Sequence, residues 1–271
     1  MTRLWPPTTP WPEQRSTGGW SLSEGATRTA TRTLVSLPSL AIEVFVPTSE
    51  SSLVDVPAGG ITLHDRGSQK NWRVEVLAFC LAPHPVTRSL YASVRGQVLA
   101  DRPRTPVTDV SWLDAVRFCN QLSESAGLVP CYSVGDDPDG LDVVWDRSAD
   151  GYRLPSEAEW EHACRSVSTG VGPEDLDVIA WHRGNSEGGP QEVGLLEANT
   201  WGLYDTLGNV WEWCWDLYDP RVYGPYRVFR GGGWNDLPHA CRASVRRKSH
   251  PALRVDDLGF RLARTPRPSS T

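Results

Sequence analysis

The chain has 271 residues, 39% of them hydrophobic and 22% charged, with a formal net charge of −6. That composition excludes a disordered or fibrous polymer and supports one large globular domain or two small ones with a sizeable core. No apolar run approaches the roughly eighteen residues that would suggest a bilayer-crossing helix, and Met1-Thr2-Arg3-Leu4-Trp5-Pro6-Pro7 lacks the hydrophobic stretch of a signal peptide. Neither a membrane nor a nucleic-acid partner is expected. The six cysteines, at 80, 119, 131, 164, 214 and 241, show no CxxC pair or metal-finger spacing, so a reduced, cytoplasmic protein is expected.

In chain order, residues 1–52 read as a Pro/Thr/Ser-rich extension in which only Ala41–Val46 has strand composition. From Leu53 the character changes. Leu53–Gly60 reads as a short strand ending in a turn, and Trp72–Leu81 as a second strand. Ser111 caps a helix carrying Asp114 in its first turn. Trp112, Ala115, Val116, Cys119 and Leu122 recur along it at helical spacing, and Gly127 ends it. A second helix starts at Ser156, with Glu159 three residues on as a capping box. Beyond Arg165 only short strand candidates remain, such as Val228–Arg230 and Gly259–Ala263, among Gly, Pro, Asn and Trp.

Two features of the composition bear on function. The thirteen tryptophans suggest rigid aromatic packing beneath loops. Basic charge is almost all arginine, with only Lys70 and Lys248 as lysines. From Arg221 onward eleven basic side chains face three acidic ones, so this segment carries +8 and the preceding 220 residues −14. A basic end is suited to an anionic ligand. It is equally suited to a scaffold whose guanidinium groups tie loops to carbonyls.

Four stretches together define a pattern: Pro106–Ala115; Tyr152–Glu161; Trp201–Asp205 with Gly208-Asn209-Val210-Trp211-Glu212-Trp213; and Arg230-Gly231-Gly232-Gly233-Trp234, closing at Gly259-Phe260-Arg261. In this order and spacing the chain resembles the formylglycine-generating-enzyme, or sulfatase-modifying-factor, family over roughly 53–266, leaving 267–271 as a tail. The resemblance implies an α+β, C-type-lectin-like fold with two main helices, short strands and many loops. It also implies a structural calcium site using the carbonyls of Gly208 and Val210, the side chain of Glu212, and Asn209. Hard oxygens on a tight loop suit calcium; the competing reading has Glu212 bonding backbone amides or an arginine. The family's second calcium loop has no counterpart in 181–194.

The family's oxidase holds copper with two cysteines five positions apart, and those positions fall on Asp236 and Cys241. One thiolate beside a carboxylate is a poor copper(I) site, so copper and oxidase activity are not expected, and Cys241 is the catalytic candidate only if the chain is an enzyme. The related iron-dependent branch needs a His-rich helical domain. The six histidines here (64, 84, 162, 182, 239, 250) include no pair at helical spacing, and the chain has no phosphate-binding glycine loop or GxSxG elbow.

What remains is a binding module for an unidentified protein or small molecule. Its face is 234–258, with Trp234, Asp236, Leu237, His239, Ala240, Val245, Ser249, His250, Leu253, Val255 and Asp256 as ligand-facing positions. Pro238, Cys241, Arg242, Arg246, Pro251 and Arg254 are the expected anchors, with Trp234 fixed as well. This division resembles the variable region of proteins diversified by retroelements. A non-diversified binding role and a metal-dependent oxidoreductase of the family stay open as alternatives.

Overall fold

The computed structural model describes residues 53–98, 101–166 and 173–265. The strand candidate at 41–46, the rest of the 1–52 extension and the tail lie outside these residues. The first half runs β1 (Val54–Val56), β2 (Gly59–Asp65), β3 (Lys70–Val76), β4 (Phe79–Leu81), α1 (Arg88–Arg95), α2 (Trp112–Ser125), β5 (Tyr132–Ser133), β6 (Val144–Trp145), β7 (Tyr152–Arg153) and α3 (Glu157–Arg165). The second half follows with β8 (Ala180–Trp181), β9 (Leu207–Gly208), β10 (Trp211–Leu217), α4 (Pro220–Tyr223), β11 (Arg227–Arg230), β12 (Arg246–Ser249), β13 (Leu258–Gly259) and β14 (Ala263–Arg264). This is the α+β architecture expected from sequence.

Both main helices start where their capping residues place them. Ser111 Oγ accepts the Asp114 amide while Asp114 Oδ2 accepts the Ser111 amide, and Ser156 and Glu159 repeat that exchange at α3. Two orphan amides at each helix start are thereby satisfied. Helix α1 was not apparent in the sequence, although Thr87 caps it and Gly96 closes it at φ +63°. The expected strand at 72–81 is two strands, β3 and β4, separated at the exposed Leu77.

Two four-stranded sheets organise the domain. β1, β4, β14 and β7 pair antiparallel in that order. β12, β11, β10 and β13 form the second sheet, in which β13 runs parallel to β10. The first element of the main core is α2, whose Trp112, Ala115, Val116, Phe118 and Cys119 are all fully buried.

Tryptophan supplies both filling and ties. The indole N–H of buried Trp112 donates to the carbonyl of Cys214 at 2.9 Å, and that of Trp213 to the carbonyl of Val110 at 3.0 Å, so α2 and β10 are fastened in both directions. Trp160 on α3 donates to Glu212 Oε2 at 2.7 Å. A large apolar body with one donor can close a core and fix its register together, which aliphatic side chains cannot do.

The arginines act the same way. Arg261 has no exposed surface; its Nε and an Nη meet the two oxygens of fully buried Glu212 at 2.7 and 2.6 Å, and its remaining donors reach the carbonyls of Ala82, Pro83 and Tyr204. Arg230 pairs with Glu157 and Glu161 of α3, and Arg246 of β12 closes on Glu157 at 2.7 Å. Burial lowers the Arg227 pKa to about 10; its guanidinium lies 3.7 Å from the Trp112 ring and donates to the carbonyls of Trp215 and Gly140.

Removing one member of such a pair strands a charge in the core. Arg261→Met is expected to lower unfolding free energy by about 3–5 kcal/mol, with Glu212→Gln in the same chain recovering part of it. Urea denaturation of the two single variants and the double variant measures the coupling. Equal stability of Arg261→Met and the parent would contradict a structural role for the pair.

Candidate functional site

The segment 234–258 leaves the second sheet at Arg230-Gly231-Gly232-Gly233, forms a single turn of 3-10 helix at Pro238–Ala240, and returns as β12. It was expected as a continuous loop face; β12 divides it, and Arg246–Ser249 pairs along the whole of β11. Gly232 makes the exit possible. Its φ is +88°, and a Cβ there would lie 2.8 Å from Cys241 Sγ and 3.0 Å from Cys241 Cα, so only glycine lets the two backbones approach.

Asp236 holds the first turn together. Its Oδ2 accepts the Trp211 indole N–H at 2.6 Å and the Gly233 amide at 3.0 Å, while Oδ1 accepts from Arg247 at 3.0 Å. The expectation that Asp236 faces a ligand is therefore corrected: both its oxygens are engaged inside the protein. Ala240 is corrected likewise, because it is buried at the end of the short helical turn. Val245, Leu253 and Val255 are half-buried and pack against the main core, so their apolar side chains also work as anchors.

The other predicted positions fall into two groups. Leu237, 48% exposed, together with His239 and Asp256 stands out into solvent, and Ala252 of the same segment is exposed as well. Trp234, Ser249 and His250 are half-buried. Trp234 donates its indole N–H to the Asp256 carbonyl, and His250 Nε2 lies 3.0 Å from Asp139. Among the expected anchors, Cys241 and Pro251 are buried and Arg246 is locked on Glu157, but Pro238 and Arg242 are exposed. Arg254 is exposed too, pinned to Asp114 and to the carbonyl of Asp109.

A second segment supports this face from below in sequence. The Arg183 amide donates to the Asp236 carbonyl at 2.9 Å, Arg183 Nε to the Asn235 carbonyl at 2.9 Å, and Ser186 Oγ to the Trp234 carbonyl at 2.9 Å. Arg183 and Asn235 were not singled out from sequence. Nothing in local periodicity links positions 52 residues apart, and 181–194 had been read only for a calcium loop.

The metal expectations can be set against these contacts. Burial, and then the nearby Asp236 charge, push the Cys241 thiol up to about 12, so it remains protonated at neutral pH. A protonated thiol and a carboxylate already holding three donors do not fit copper(I), which prefers thiolate ligands. Among the described residues there is no grouping of three or more His, Cys, Asp or Glu side chains suited to a metal ion.

In the stretch that resembles a calcium site, Glu212 faces Arg261 and Trp160, the arginine reading that the sequence left open. Asn209 Oδ1 accepts the Gln191 amide, and its Nδ2 donates to the Gln191 carbonyl and to Asp205. The tight turn itself is explained by backbone proximity. Gly208 sits at φ +72° directly against the Trp181 carbonyl, and Asn209 follows at φ +58°. With Glu212 paired to a cation already, this donor set does not fit calcium without displacing Arg261. No helix among the described residues is long and apolar enough to cross a membrane.

Small sheets, two capped helices and long loops pinned to the sheets by Trp and Arg define a C-type-lectin-like domain of the formylglycine-generating type. The model for the sulfatase-modifying factor enzyme 1-like domain matches residues 43–266, and the chain belongs to that family. The match begins ten residues ahead of the boundary read from composition. The chain is 29% identical to the chaperone protein LppX of Paenibacillus barcinonensis over 76% of this chain and 87% of that protein. It is 30% identical to the inactive C-alpha-formylglycine-generating enzyme 2 of Mus musculus over 62% of this chain, and it spans about half (52%) of that relative. Among solved structures it resembles Treponema denticola variable protein 1, with a TM-score of 0.71 and 29% identity over 79% of this chain and 95% of that one.

Asp257 offers a test of the electrostatics beneath the face. Burial, with the charges of Asp236 and Asp256, raises its carboxyl from 3.8 to about 6. A folded-state value above the unfolded one means that the native state binds the proton more tightly, so the contribution of Asp257 to stability is fully present below about pH 4 and is lost as pH rises through 6. Because the group is partly exposed, screening limits the loss to roughly 1 kcal/mol. Asp257→Asn is expected to flatten the stability profile between pH 4 and 7, read by thermal melts across that range; an unchanged slope would contradict it.

Proposed function

We propose that this chain is a non-oxidase binding module that recognises a protein or small molecule through exposed positions of 234–258. The single observation that carries the reading is the state of the copper positions. Asp236 serves as a fastener for Trp211, Gly233 and Arg247, and Cys241 is a buried, high-pKa thiol under Gly232. The place where the family's oxidase does its chemistry is here part of the framework of a loop.

That framework suits recognition. Rigid anchors hold the backbone, while Leu237, His239, Ala252 and Asp256 project outward with few obligations to the fold. Similarity to Treponema denticola variable protein 1 supports the reading that such positions are the ones a retroelement would diversify. A library randomised at these four positions is expected to keep melting temperatures within a few degrees of the parent and to yield binders to an arbitrary target protein. Randomising Ala240 and Cys241 is expected to abolish folding. A library at the exposed positions that fails to fold, or yields no binder, would overturn the reading.

Two titrations separate it from a metalloenzyme. Copper(I) is expected to show no stoichiometric, Cys241-dependent binding; binding lost in Cys241→Ser would establish the oxidoreductase alternative. We further infer that the Glu212–Arg261 pair does the work that calcium would do at Gly208–Glu212, so a chelator is expected to leave the melting temperature unchanged. A drop restored by added calcium would reinstate the cation.

A further inference from the structure

We propose that Arg183 and Arg242 form a pair of guanidinium forks flanking the tip of the recognition loop, and that they select a partner by its carboxylates, as an acidic segment of a protein. The inference rests on 234–258 being the recognition face and adds to it a residue from outside that stretch, together with the chemistry of the partner.

The geometry is specific. Arg183 is fastened to one side of the tip, with its amide on the Asp236 carbonyl and its Nε on the carbonyl and side-chain oxygen of Asn235 at 2.9 and 3.3 Å. Arg242 is fastened further along the tip, with Nε on the His239 carbonyl at 2.6 Å. In both cases the inner nitrogen is bound to backbone, and among the described residues no acceptor within the chain is bonded to the outer Nη nitrogens. Both side chains are exposed. Each fork is thus oriented in advance by carbonyls of the recognition loop, which reduces the ordering entropy that a flexible side chain loses on binding, and presents planar donors matched to a carboxylate.

The other cations of the segment are already occupied. Arg246 is held by Glu157, Arg247 by Asp236, Arg254 by Asp114, and the Lys248 ammonium lies 4.0 Å from the Tyr223 ring and 4.3 Å from the Tyr218 ring. Asp236, the acidic residue inside the tip, turns inward to Trp211, Gly233 and Arg247, so it does not neutralise the forks. Asp256 is the exposed carboxylate of the face and lies at the Trp234 side, where its carbonyl accepts the indole. Leu237, which falls in sequence between the two anchoring points at Asn235–Asp236 and His239, is 48% exposed and offers an apolar contact. Two oriented guanidinium groups and one leucine fit a short peptide stretch bearing carboxylates next to an apolar side chain. A nucleic acid is the poorer match, because polyphosphate binding draws on many cations along a track and the other cations of this segment are already paired.

The test uses fluorescence anisotropy with the full chain and three labelled probes: a peptide of about ten glutamates with a central leucine, its lysine counterpart, and a duplex DNA of about 20 base pairs. The glutamate peptide is expected to bind saturably and the lysine peptide not at all. Its affinity is expected to fall at least about tenfold in Arg183→Gln and in Arg242→Gln, at unchanged melting temperature, and to weaken as salt rises. Arg221→Gln, an exposed arginine outside the face, is expected to bind like the parent. Absence of saturable glutamate binding, or binding indifferent to both substitutions, overturns the proposal. DNA binding stronger than peptide binding and lost in the same variants also overturns it and assigns the forks to phosphate. If the randomised library described above folds and yields binders while the glutamate peptide does not bind, the acidic preference alone is lost and the recognition face stands.

Discussion

A carboxylate with no exposed surface, Glu212, sits where β10 meets β13, and one arginine from the closing segment of the chain reaches both of its oxygens. Neither charge can be left alone in that environment, because desolvation of an unpaired ion costs far more than any local rearrangement can return. Arg261 must therefore arrive at this point, and in arriving it also collects the carbonyls of Ala82 and Pro83 and of Tyr204, two separate stretches of loop. Trp160 completes the arrangement from α3. The pair works less as a source of net stability than as a condition that compatible folds must satisfy. It fixes the register between segments far apart in sequence.

The same logic recurs outward. Arg230 and Arg246 converge on Glu157 at the start of α3, tying the central strand and the edge strand of the second sheet to one helix. Near the surface, Asp236 gathers an indole, an amide and a guanidinium. In each case a polar group with several bonding positions replaces the regular hydrogen-bond ladder that a loop lacks. A protein with short strands and long connections needs such points, and the abundance of arginine and tryptophan in the sequence supplies them.

This arrangement bears directly on the functional reading. A loop whose backbone is held by anchors on its inner side can change its outer side chains without changing shape, which is the requirement of a recognition surface. The copper-binding pair of the related oxidase would occupy the region that here supplies those anchors. Asp236 accepts there the hydrogen bonds of Trp211, Gly233 and Arg247, which a sulfur would accept only weakly.

The starts of α2 and α3 were legible in sequence to the residue, because a capping box is a local device: four consecutive residues contain both halves of the interaction. The four ordered motifs likewise determined the family and the class of fold, since their residues are the glycines, tryptophans and arginines on which the scaffold depends. Within 234–258, Leu237, His239 and Asp256 are exposed, as the sequence reading expected of outward-facing positions. Which of its other side chains turn inward was decided only by tertiary structure. Asp236 and Ala240 look like free positions until Trp211, Arg247 and the exit at Gly232 are placed around them, and Arg183 becomes part of the face only when a loop 52 residues away folds beneath it. Sequence determines what a residue can bond within a turn of its own backbone; the partners of a buried charge or an indole come from distant segments, and only the folded chain brings them within reach.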